Sequence, residues 1–195
     1  IKRILQIFIM GQIPEKAKRV FKGQIFDVYQ WEQKMFDGSF KTFEMIDRPD
    51  TVEVIPVDED GNLIISREQQ PGGEAKVGLI GGRVDPGETP LEAIKRELLE
   101  ESGYTAEDYT LWYRESPFEK IQWDIYVYIA KGVRKVSDQK LEIGEKIELM
   151  YVSFDDFIDK YVMEDTFRDV ECKFEVMEAK SDPEKLKKLK NLFRY

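Results

Sequence analysis

The chain has 195 residues, of which 42% are hydrophobic and 35% are charged, and its formal net charge is −9. Such a composition is typical of a globular protein with one sizeable core, to which a small module could be appended. The acidic balance argues against a nucleic-acid-binding surface, which would normally be basic. The absence of histidine excludes serine–histidine catalysis and histidine-ligated zinc.

The cysteine content and the N-terminal residues bear on the compartment. The single cysteine, Cys172, cannot form an intramolecular disulfide, so we expect a reducing compartment and a small core residue. Residues 4–10 are mostly apolar and follow Lys2 and Arg3, but no small-residue cleavage site comes after them. No stretch is long enough to span a bilayer. We expect a cytoplasmic protein that does not bind a membrane.

The first predicted elements form a β-module over residues 1–48. Residues 20–33 and 40–46 mix β-branched and aromatic side chains, and Asp37-Gly38 between them is a strong hairpin signal. A two-stranded hairpin alone is barely stable in water. We therefore expect this module to pack on the rest of the chain or to pair with another subunit.

The remaining residues, 49–195, predict strands and helices in mixed order. The predicted strands cover residues 51–57, 63–66 (returning after a turn at 58–62), 77–80, 109–115, 123–130 and 147–152, with loops at 69–75 and 133–145. Ser153 is the predicted N-cap of a helix that ends near Val162. A basic helix is predicted over residues 183–193, and its apolar residues are expected to pack on the body: Leu186, Leu189, Leu192 and Phe193.

The most informative stretch runs from residue 81 to residue 104. Its first half is rich in Gly and Pro, and its second half predicts a short helix. The signals for that helix are an N-cap, a proline at the first position, a capping-box glutamate and a left-handed stop, at Thr89, Pro90, Glu92 and Gly103. Leu91, Ile94 and Leu98 recur at helical spacing, so we expect all three to face a core.

Three carboxylates lie near the C-terminal end of this predicted helix, on Glu97, Glu100 and Glu101. They oppose the helix dipole and repel one another, and a divalent cation would remove both penalties because such ions prefer oxygen ligands. A solvated acidic face is the plainer interpretation of such a pattern by itself. The Gly- and Pro-rich loop in front of it favours the metal site.

This stretch resembles the Nudix box of the Nudix hydrolases. The matching residues, all at the spacing of that box, are Gly82, Glu88, Arg96, Glu97, Leu98, Glu100, Glu101, Gly103 and Tyr104. Tyr104 is aromatic where the family usually has an aliphatic residue. The resemblance implies an α/β fold, the Nudix α/β/α sandwich with a mixed sheet, plus the N-terminal β-hairpin module. Residues 1–48 would then serve dimerisation and base binding, and residues 49–195 would form the hydrolase domain.

The resemblance also implies a set of metal ligands. Glu97, Glu100 and Glu101 would hold Mg²⁺ or Mn²⁺, and the carbonyl of Gly81 would be a further ligand. Arg96 would orient a glutamate from the same helix, and both Arg96 and Glu100 are therefore catalytic candidates. The plain alternative for Arg96 is a surface ion pair.

A separate catalytic base is implied by the ADP-ribose branch of the family, where acidic residues lie on a loop before a late strand. Glu145, two residues before Ile147, matches that place best, as the base and as an extra metal ligand. Glu142 is the reserve candidate. Acidic surface loops are common, so a role limited to solvation stays open for both.

The substrate class is suggested by a proline. The branch that acts on ADP-ribose and sugar nucleotides resembles this chain in having a proline at a set distance beyond the box, here Pro117. The residues that we expect to contact substrate are Arg67, Trp31, Arg48, Pro117 and Phe118. Relatives often have Arg-Gln-Tyr-Arg where this chain has Arg67-Glu68-Gln69-Gln70, so the usual phosphate clamp lacks its second arginine.

These features together predict a metal-dependent homodimeric hydrolase. It would split the diphosphate of ADP-ribose, or of a related nucleoside diphosphate sugar, into two monophosphates. Its partner is thus a nucleoside diphosphate-linked small molecule. Two alternatives stay open: a hydrolase of oxidised nucleotides or dinucleoside polyphosphates, and a Nudix module that binds ADP-ribose without cleaving it. The N-terminal module argues against the first, and the three box glutamates argue against the second.

Overall fold

The structure is a computed structural model that describes residues 12–194. The apolar run at residues 4–10 lies outside the described residues. The strands are β1 (Lys18–Lys22), β2 (Asp27–Lys34), β3 (Phe40–Asp47), β4 (Thr51–Pro56), β5 (Leu63–Gln69), β6 (Lys76–Gly78), β7 (Ile80–Arg83), β8 (Tyr104–Thr105), β9 (Asp108–Glu115), β10 (Ile121–Gln122), β11 (Ile125–Lys131), β12 (Arg134–Lys135) and β13 (Lys146–Val152).

The helices are fewer. They are α1 (Pro90–Ser102), α2 (Phe154–Asp156), which continues as a π-helical turn over Phe157–Tyr161, α3 (Val170–Lys180) and α4 (Pro183–Leu192). Over residues 12–194, none of the helices has the length and apolar character needed to span a bilayer. The described chain forms two compact units, one of residues 12–50 and 116–124, and one of residues 51–115 and 125–194.

The first unit is a four-stranded sheet in the order β1-β2-β3-β10. The predicted turn at Asp37-Gly38 joins β2 to β3, with Gly38 at a φ of 85° and the amide of Met35 donating to Ser39 O at 2.8 Å. Residues 20–33, predicted as one extended segment, are divided at Gly23, where a Cβ would lie 2.4 Å from Phe26 O. Residues 121–122 join this unit as β10, parallel to β3, whereas the sequence pattern assigned them to no strand.

The second unit contains a mixed sheet in the order β7-β4-β11-β9 and an antiparallel sheet in the order β13-β5-β6. Strands β4 and β11 are parallel, and β7 and β9 pair antiparallel with them at the two edges. The predicted strand at 63–66 does not return along β4. Beyond one bridge between Val57 and Leu63, it extends to residue 69 as β5 and pairs with β13 and β6.

The segment before α1 is divided between the two sheets of this unit. Residues 77–80, predicted as one strand, separate at Leu79 into β6, which pairs with β5, and β7, which pairs with β4. Gly78 and Ile80 therefore belong to different sheets, and Leu79 is the corner between them. Gly81 follows two residues later and lies opposite Glu53 in the β4–β7 pair.

Helix α1 covers one face of the mixed sheet. Its Ala93, Ile94 and Leu98 are fully buried and belong to one apolar cluster with Val52, Val54 and Ile80 from β4 and β7. Leu91, which has helical spacing with them, is 39% exposed, so its prediction as a core residue was wrong. Leu91 lies in the first turn of the helix, and the buried residues begin only at Ala93 and Ile94.

The contrast between these two leucines predicts different stabilities. Leu98→Ala is expected to lower the free energy of unfolding by about 3 kcal/mol, since it leaves a cavity in a fully buried cluster. Leu91→Ala removes the same atoms from a partly exposed site and should cost less than about 1 kcal/mol. Urea titrations of both variants measure the difference. Equal losses would contradict the helix orientation.

Three helical segments follow β13. Ser153 is the N-cap of α2, as predicted, and its side chain accepts from the amide of Asp156. The predicted basic helix is α4, whose Leu189 is buried together with Phe193, whereas Leu192 is exposed and was wrongly expected to pack. Helix α3 was not predicted at all. It lies between them and buries Cys172, Val176 and Ala179, and Cys172 is a core residue as expected.

Candidate active site

The caps of helix α1 fix where its acidic end lies. The Thr89 hydroxyl accepts from the amide of Glu92 at 3.3 Å, and the Glu92 carboxylate accepts from the amide of Thr89 at 2.8 Å. This is the capping box that the sequence predicts. The helix ends at Gly103, where φ is 77° and a Cβ would lie 2.1 Å from Ser137 O. Only glycine fits this end, so the position of the last helical turn is defined.

The carbonyl groups of that last turn are bonded by the segment that follows β12. The amide of Lys140 donates to Glu100 O at 2.7 Å, and the amide of Val136 donates to Gly103 O at 2.8 Å. The Gln139 side chain donates to Glu101 O at 2.6 Å. These donors satisfy groups that carry the negative end of the helix dipole, which makes nearby carboxylates less costly than in an isolated helix.

Glu101 turns inward from this end of the helix. Its carboxylate accepts from the amide of Gly81 at 3.0 Å, and the residue is only 7% exposed. Burial raises the pKa of Glu101 to about 8, because little surrounds the carboxylate to stabilise its charge, although the Gly81 amide acts in the opposite direction. Gly81 itself is confined, since a Cβ there would lie 2.0 Å from Val52 O on β4.

Glu97 lies one turn earlier, against the backbone of the loop. A Cβ on Gly82 would lie 2.4 Å from a carboxylate oxygen of Glu97. Burial raises the pKa of Glu97 as well, and the neighbouring Arg96 opposes that rise. The two glycines of β7 therefore meet two different glutamates, Gly81 through a hydrogen bond and Gly82 through van der Waals contact.

Arg96 connects the loop to the acidic residues of the helix. Its guanidinium donates to both carboxylate oxygens of Glu88 at 2.9 Å, and it also donates to Glu97 at 2.8 Å and Glu100 at 3.2 Å. A further bond reaches the carbonyl of Arg83 at 3.0 Å. The hydrogen bonds from Arg96 lower the pKa of Glu88. Arg96 thus fixes the loop and two glutamates at once, which is more than a surface ion pair.

The donors at this end of α1 suit a hard divalent cation. Among residues 12–194, no three acidic side chains already converge as a metal cage, because Arg96 bonds Glu97 and Glu100. Two of the three carboxylates, those of Glu97 and Glu101, nevertheless have raised pKa values through burial. The charge on Glu97 is partly compensated by Arg96, whereas the Glu101 carboxylate is buried against the neutral Gly81 amide, and burying such a charge is costly. Mg²⁺ prefers oxygen ligands. The residues present therefore fit the predicted metal.

Glu145 is the loop acid that approaches the helix. Its charge is one of the causes of the raised pKa of Glu97. The two loop residues bond each other, with the amide of Glu142 donating to the Glu145 carboxylate at 3.0 Å. Glu142 is exposed and Glu145 is half-buried. The geometry therefore distinguishes the two candidates, and Glu145 stays the better one.

The residues expected to contact substrate lie in both units. Arg67 is exposed on β5, opposite Val77 and Glu148 in the strand pairs on its two sides. In the first unit, Trp31 packs against Phe43 with ring centroids 6.0 Å apart. The other three lie near Trp123. The guanidinium carbon of Arg48 is 4.1 Å from the centroid of the Trp123 ring. The ring of Phe118 stacks on the same ring with centroids 6.1 Å apart, and Pro117 precedes Phe118 in the chain. Their contacts with substrate stay predictions.

Comparison with known proteins identifies the family of this arrangement. The NUDIX domain profile matches residues 47–172, about two thirds of the chain. The chain belongs to the Nudix family. Its acidic helix end, with Gly81 and Gly82 in front of it, is the family's Nudix box in three dimensions.

Two relatives of this Nudix hydrolase and one similar solved structure are named for ADP compounds. A third relative, the methanol dehydrogenase activator of Bacillus methanolicus, is 25% identical over 165 residues, which are 80% of this chain and 87% of that protein. ADP-ribose pyrophosphatase of Bacillus subtilis is 28% identical over 156 residues, which are 75% of this chain and 83% of that protein. ADP compounds hydrolase NudE of Escherichia coli is 35% identical over 98 residues, 48% of this chain and 52% of that protein. The solved structure of an ADP compounds hydrolase is 25% identical, with a TM-score of 0.62, and covers 83% of this chain and 90% of its own. The chain is thus a Nudix hydrolase related to ADP-ribose pyrophosphatases.

Sequence reasoning missed three charged residues next to the Nudix box. Arg168 and Asp169 precede α3 and contact residues 77–79, about ninety positions earlier in the chain. Glu68 on β5 pairs with Arg168. A partial signal was present, because Glu68 stands where relatives have glutamine in the Arg-Gln-Tyr-Arg pattern. Nothing in the sequence indicated that an arginine from the C-terminal third would meet it.

The contact between Gly82 and Glu97 predicts a large effect from one methyl group. Gly82→Ala would place a carbon where the Glu97 carboxylate now lies, so Glu97 must move or the strand must shift. We expect divalent metal affinity to fall at least about tenfold, as when a ligand's supporting group is lost. Isothermal titration with Mn²⁺ measures it. Gly73→Ala, on an exposed loop where the nearest atom to a Cβ is 3.5 Å away, is the matched control. Unchanged affinity in Gly82→Ala would contradict the role of Glu97.

Proposed function

We propose that this Nudix hydrolase cleaves the diphosphate bond of ADP-ribose, or of a closely related nucleoside diphosphate sugar, in the presence of Mg²⁺ or Mn²⁺. The observation that carries the proposal is the pair of glutamates, half-buried Glu97 and buried Glu101, held against the backbone of Gly82 and Gly81. The names of the relatives from Bacillus subtilis and Escherichia coli support ADP compounds as the substrate class.

The metal would be held by Glu97, Glu100 and Glu101, with the Gly81 carbonyl as a further ligand. When bound, it would neutralise the diphosphate charge and make water a stronger nucleophile near neutral pH. Glu100 now bonds Arg96, and at 44% side-chain exposure it is the most accessible of the three. Arg96 keeps Glu97 in place through a bond of 2.8 Å while remaining attached to Glu88.

The remaining steps belong to the chain's own side chains. Water attacks one phosphorus, the bond from that phosphorus to the bridging oxygen breaks, and two monophosphates leave. Glu145 accepts the proton of the attacking water, and its position near Glu97 supports this role. Arg67, Trp31, Arg48, Pro117 and Phe118 are the proposed substrate contacts, for phosphate and for the base. We also propose a cytoplasmic homodimer, with the module of residues 1–48 in its interface.

The decisive experiment is a substrate panel. The full chain is incubated with ADP-ribose, ADP-sugars, nucleoside triphosphates and a dinucleoside polyphosphate, with Mg²⁺ or with a chelator, and the products are separated chromatographically. ADP-ribose is expected to give AMP and ribose 5-phosphate only when metal is present. If triphosphates or dinucleoside polyphosphates are consumed while ADP-ribose stays intact, the proposed substrate class is wrong.

Isotope-labelled water then identifies the reacting phosphorus. With H₂¹⁸O as solvent, the label enters either AMP or ribose 5-phosphate, and mass spectrometry of the two products tells which phosphorus the water attacked. Label in neither product would contradict attack by water.

A further inference from the structure

The segment just before α3 binds the corner at Leu79, and this contact has no role in the proposed reaction as described so far. The Asp169 carboxylate accepts from the amide of Leu79 at 2.6 Å, and the Arg168 guanidinium donates to the carbonyl of the same residue at 2.9 Å. The amide of Arg168 donates to Val77 O at 2.8 Å. Both backbone groups of Leu79 are therefore bonded by two consecutive side chains.

This corner supports the Nudix box directly. Leu79 is the residue at which the chain leaves β6 and enters β7, and Gly81 lies two residues further on. The amide of Gly81 is the group that Glu101 accepts from. A shift at Leu79 would therefore move the backbone that orients Glu101.

The Asp169 side chain bonds the Leu79 corner and not the helix that follows it. It occupies the N-cap position of α3, where an aspartate normally accepts from the first amides of the helix, yet its side chain makes no capping bond. The residue is only 4% exposed, and its carboxylate bonds Leu79, Arg168 and the side chain of Glu53 instead. Gly78 is packed against the same pair, since a Cβ there would lie 2.9 Å from Asp169 Oδ2 and 3.2 Å from Arg168 Nε.

Arg168 also places a positive charge beside the acidic residues of the box. Its guanidinium forms ion pairs with Glu68 and with Asp169, and its side chain remains 35% exposed. Glu101 interacts electrostatically with both Glu68 and Arg168, so the three charges belong to one neighbourhood. Without Arg168, the carboxylates of Glu68 and Asp169 would stand uncompensated near Glu101, and the corner would lose a hydrogen bond.

We propose that Arg168 and Asp169 are positioning residues for the metal site, which hold the Leu79 corner and thereby the Gly81 amide and the Glu101 carboxylate. The inference rests on the proposed function for the identity of the metal site. It does not require that ADP-ribose be the substrate. In this proposal Arg168 acts through Glu68 and Leu79 rather than as a ligand of the metal or of the phosphates.

Three variants and one control test this role. Arg168→Gln removes the positive charge, whereas Arg168→Lys keeps the charge but loses the planar set of donors. Gly78→Ala places a methyl group against the Arg168 and Asp169 side chains, so it displaces them without removing any charge. Arg134→Gln is the matched control, because Arg134 forms an exposed ion pair with Glu107 at 3.7 Å on the same unit. Each protein is compared with wild type for Mn²⁺ affinity without substrate, for amide exchange of residues 76–83 without metal, and for kcat and KM.

Arg168→Gln is expected to weaken Mn²⁺ binding about tenfold or more and to speed amide exchange at residues 79–81. Its kcat should fall by a similar factor, while KM changes less than about threefold, since the substrate loses no contact. Arg168→Lys should recover part of the loss, Gly78→Ala should weaken Mn²⁺ binding about threefold or more, and Arg134→Gln should match wild type.

Two results would overturn the proposal. One is that Arg168→Gln folds and has the same Mn²⁺ affinity and the same amide exchange rates as the wild-type protein. The other is a raised KM with unchanged Mn²⁺ affinity, which would make Arg168 a substrate contact. If Arg168→Gln does not fold, Arg168→Lys and Gly78→Ala decide by the same readouts, and wild-type values in both would refute the role. A wild-type protein that binds Mn²⁺ but spares ADP-ribose would refute the substrate class and leave this inference standing.

Discussion

Glu101→Gln is expected to lower kcat for ADP-ribose about 1,000-fold. A bound metal ion contributes several kcal/mol of charge stabilisation in the transition state, and loss of a ligand that holds it would forfeit most of this, with each 1.36 kcal/mol corresponding to a factor of ten in rate. The side-chain carbonyl oxygen in Glu101→Gln can still accept from the amide of Gly81, so the backbone contact at 3.0 Å is kept. The variant therefore tests the carboxylate charge and leaves the shape of the site nearly unchanged.

Stability distinguishes this loss from unfolding. Burial raises the pKa of Glu101 to about 8, which means that the charged carboxylate is poorly accommodated in the metal-free protein. Replacing it with a neutral amide should leave the melting temperature of the metal-free protein equal or higher, while the stabilisation by added Mg²⁺ should nearly vanish. Glu107→Gln is the control, because Glu107 is an exposed glutamate of the same unit. A kcat within a factor of ten of wild type would refute the assignment of Glu101 as a ligand.

The second large effect concerns the loop acid. Glu145→Gln is expected to lower kcat about 100-fold or more, the usual range for removal of a general base. KM should change little, because the amide preserves the size of the side chain and the bond from the amide of Glu142 at 3.0 Å. Steady-state kinetics with saturating Mg²⁺ measure both parameters.

Glu142→Gln separates the two candidates of this loop. Glu142 is exposed, whereas Glu145 is half-buried and its charge helps to raise the pKa of Glu97, so removal of the Glu142 carboxylate should reduce kcat far less than removal of the Glu145 carboxylate. The reverse order of effects would make Glu142 the base. Small effects of both variants would mean that the base lies elsewhere among the acidic residues of the Nudix box.

The local parts of the fold could be predicted well from the sequence. Helix α1 begins and ends where its capping residues indicate, because a capping box and a left-handed glycine act through nearest neighbours. The glutamates of the box could be found for the same reason, since their spacing on one helix is fixed. Leu91 shows the limit of periodicity, which gives the face of a helix but not the turn at which that face becomes buried.

Contacts between distant segments could not be predicted in this way. The pair of Arg168 and Asp169 meets Leu79 across about ninety residues, and the sequence pattern near residue 169 predicted neither α3 nor its N-cap aspartate. The division of residues 77–80 between two sheets is equally non-local, because it depends on which strands flank them. Both features help to orient Glu101. That orientation could not be predicted from composition and residue spacing alone.

The bonds between residues 136–140 and the end of α1 limit how this enzyme's loop can be re-engineered. Residues 136–140 are attached to the helix by three backbone amides and one side-chain amide, and the chain is paired with β5 again from residue 146. Insertions or loop exchanges that keep both attachments must therefore fall within residues 141–145. A library that varies only this segment, in length and in the placement of its acidic side chain, would redesign the loop that carries Glu145 without disturbing the helix that it faces.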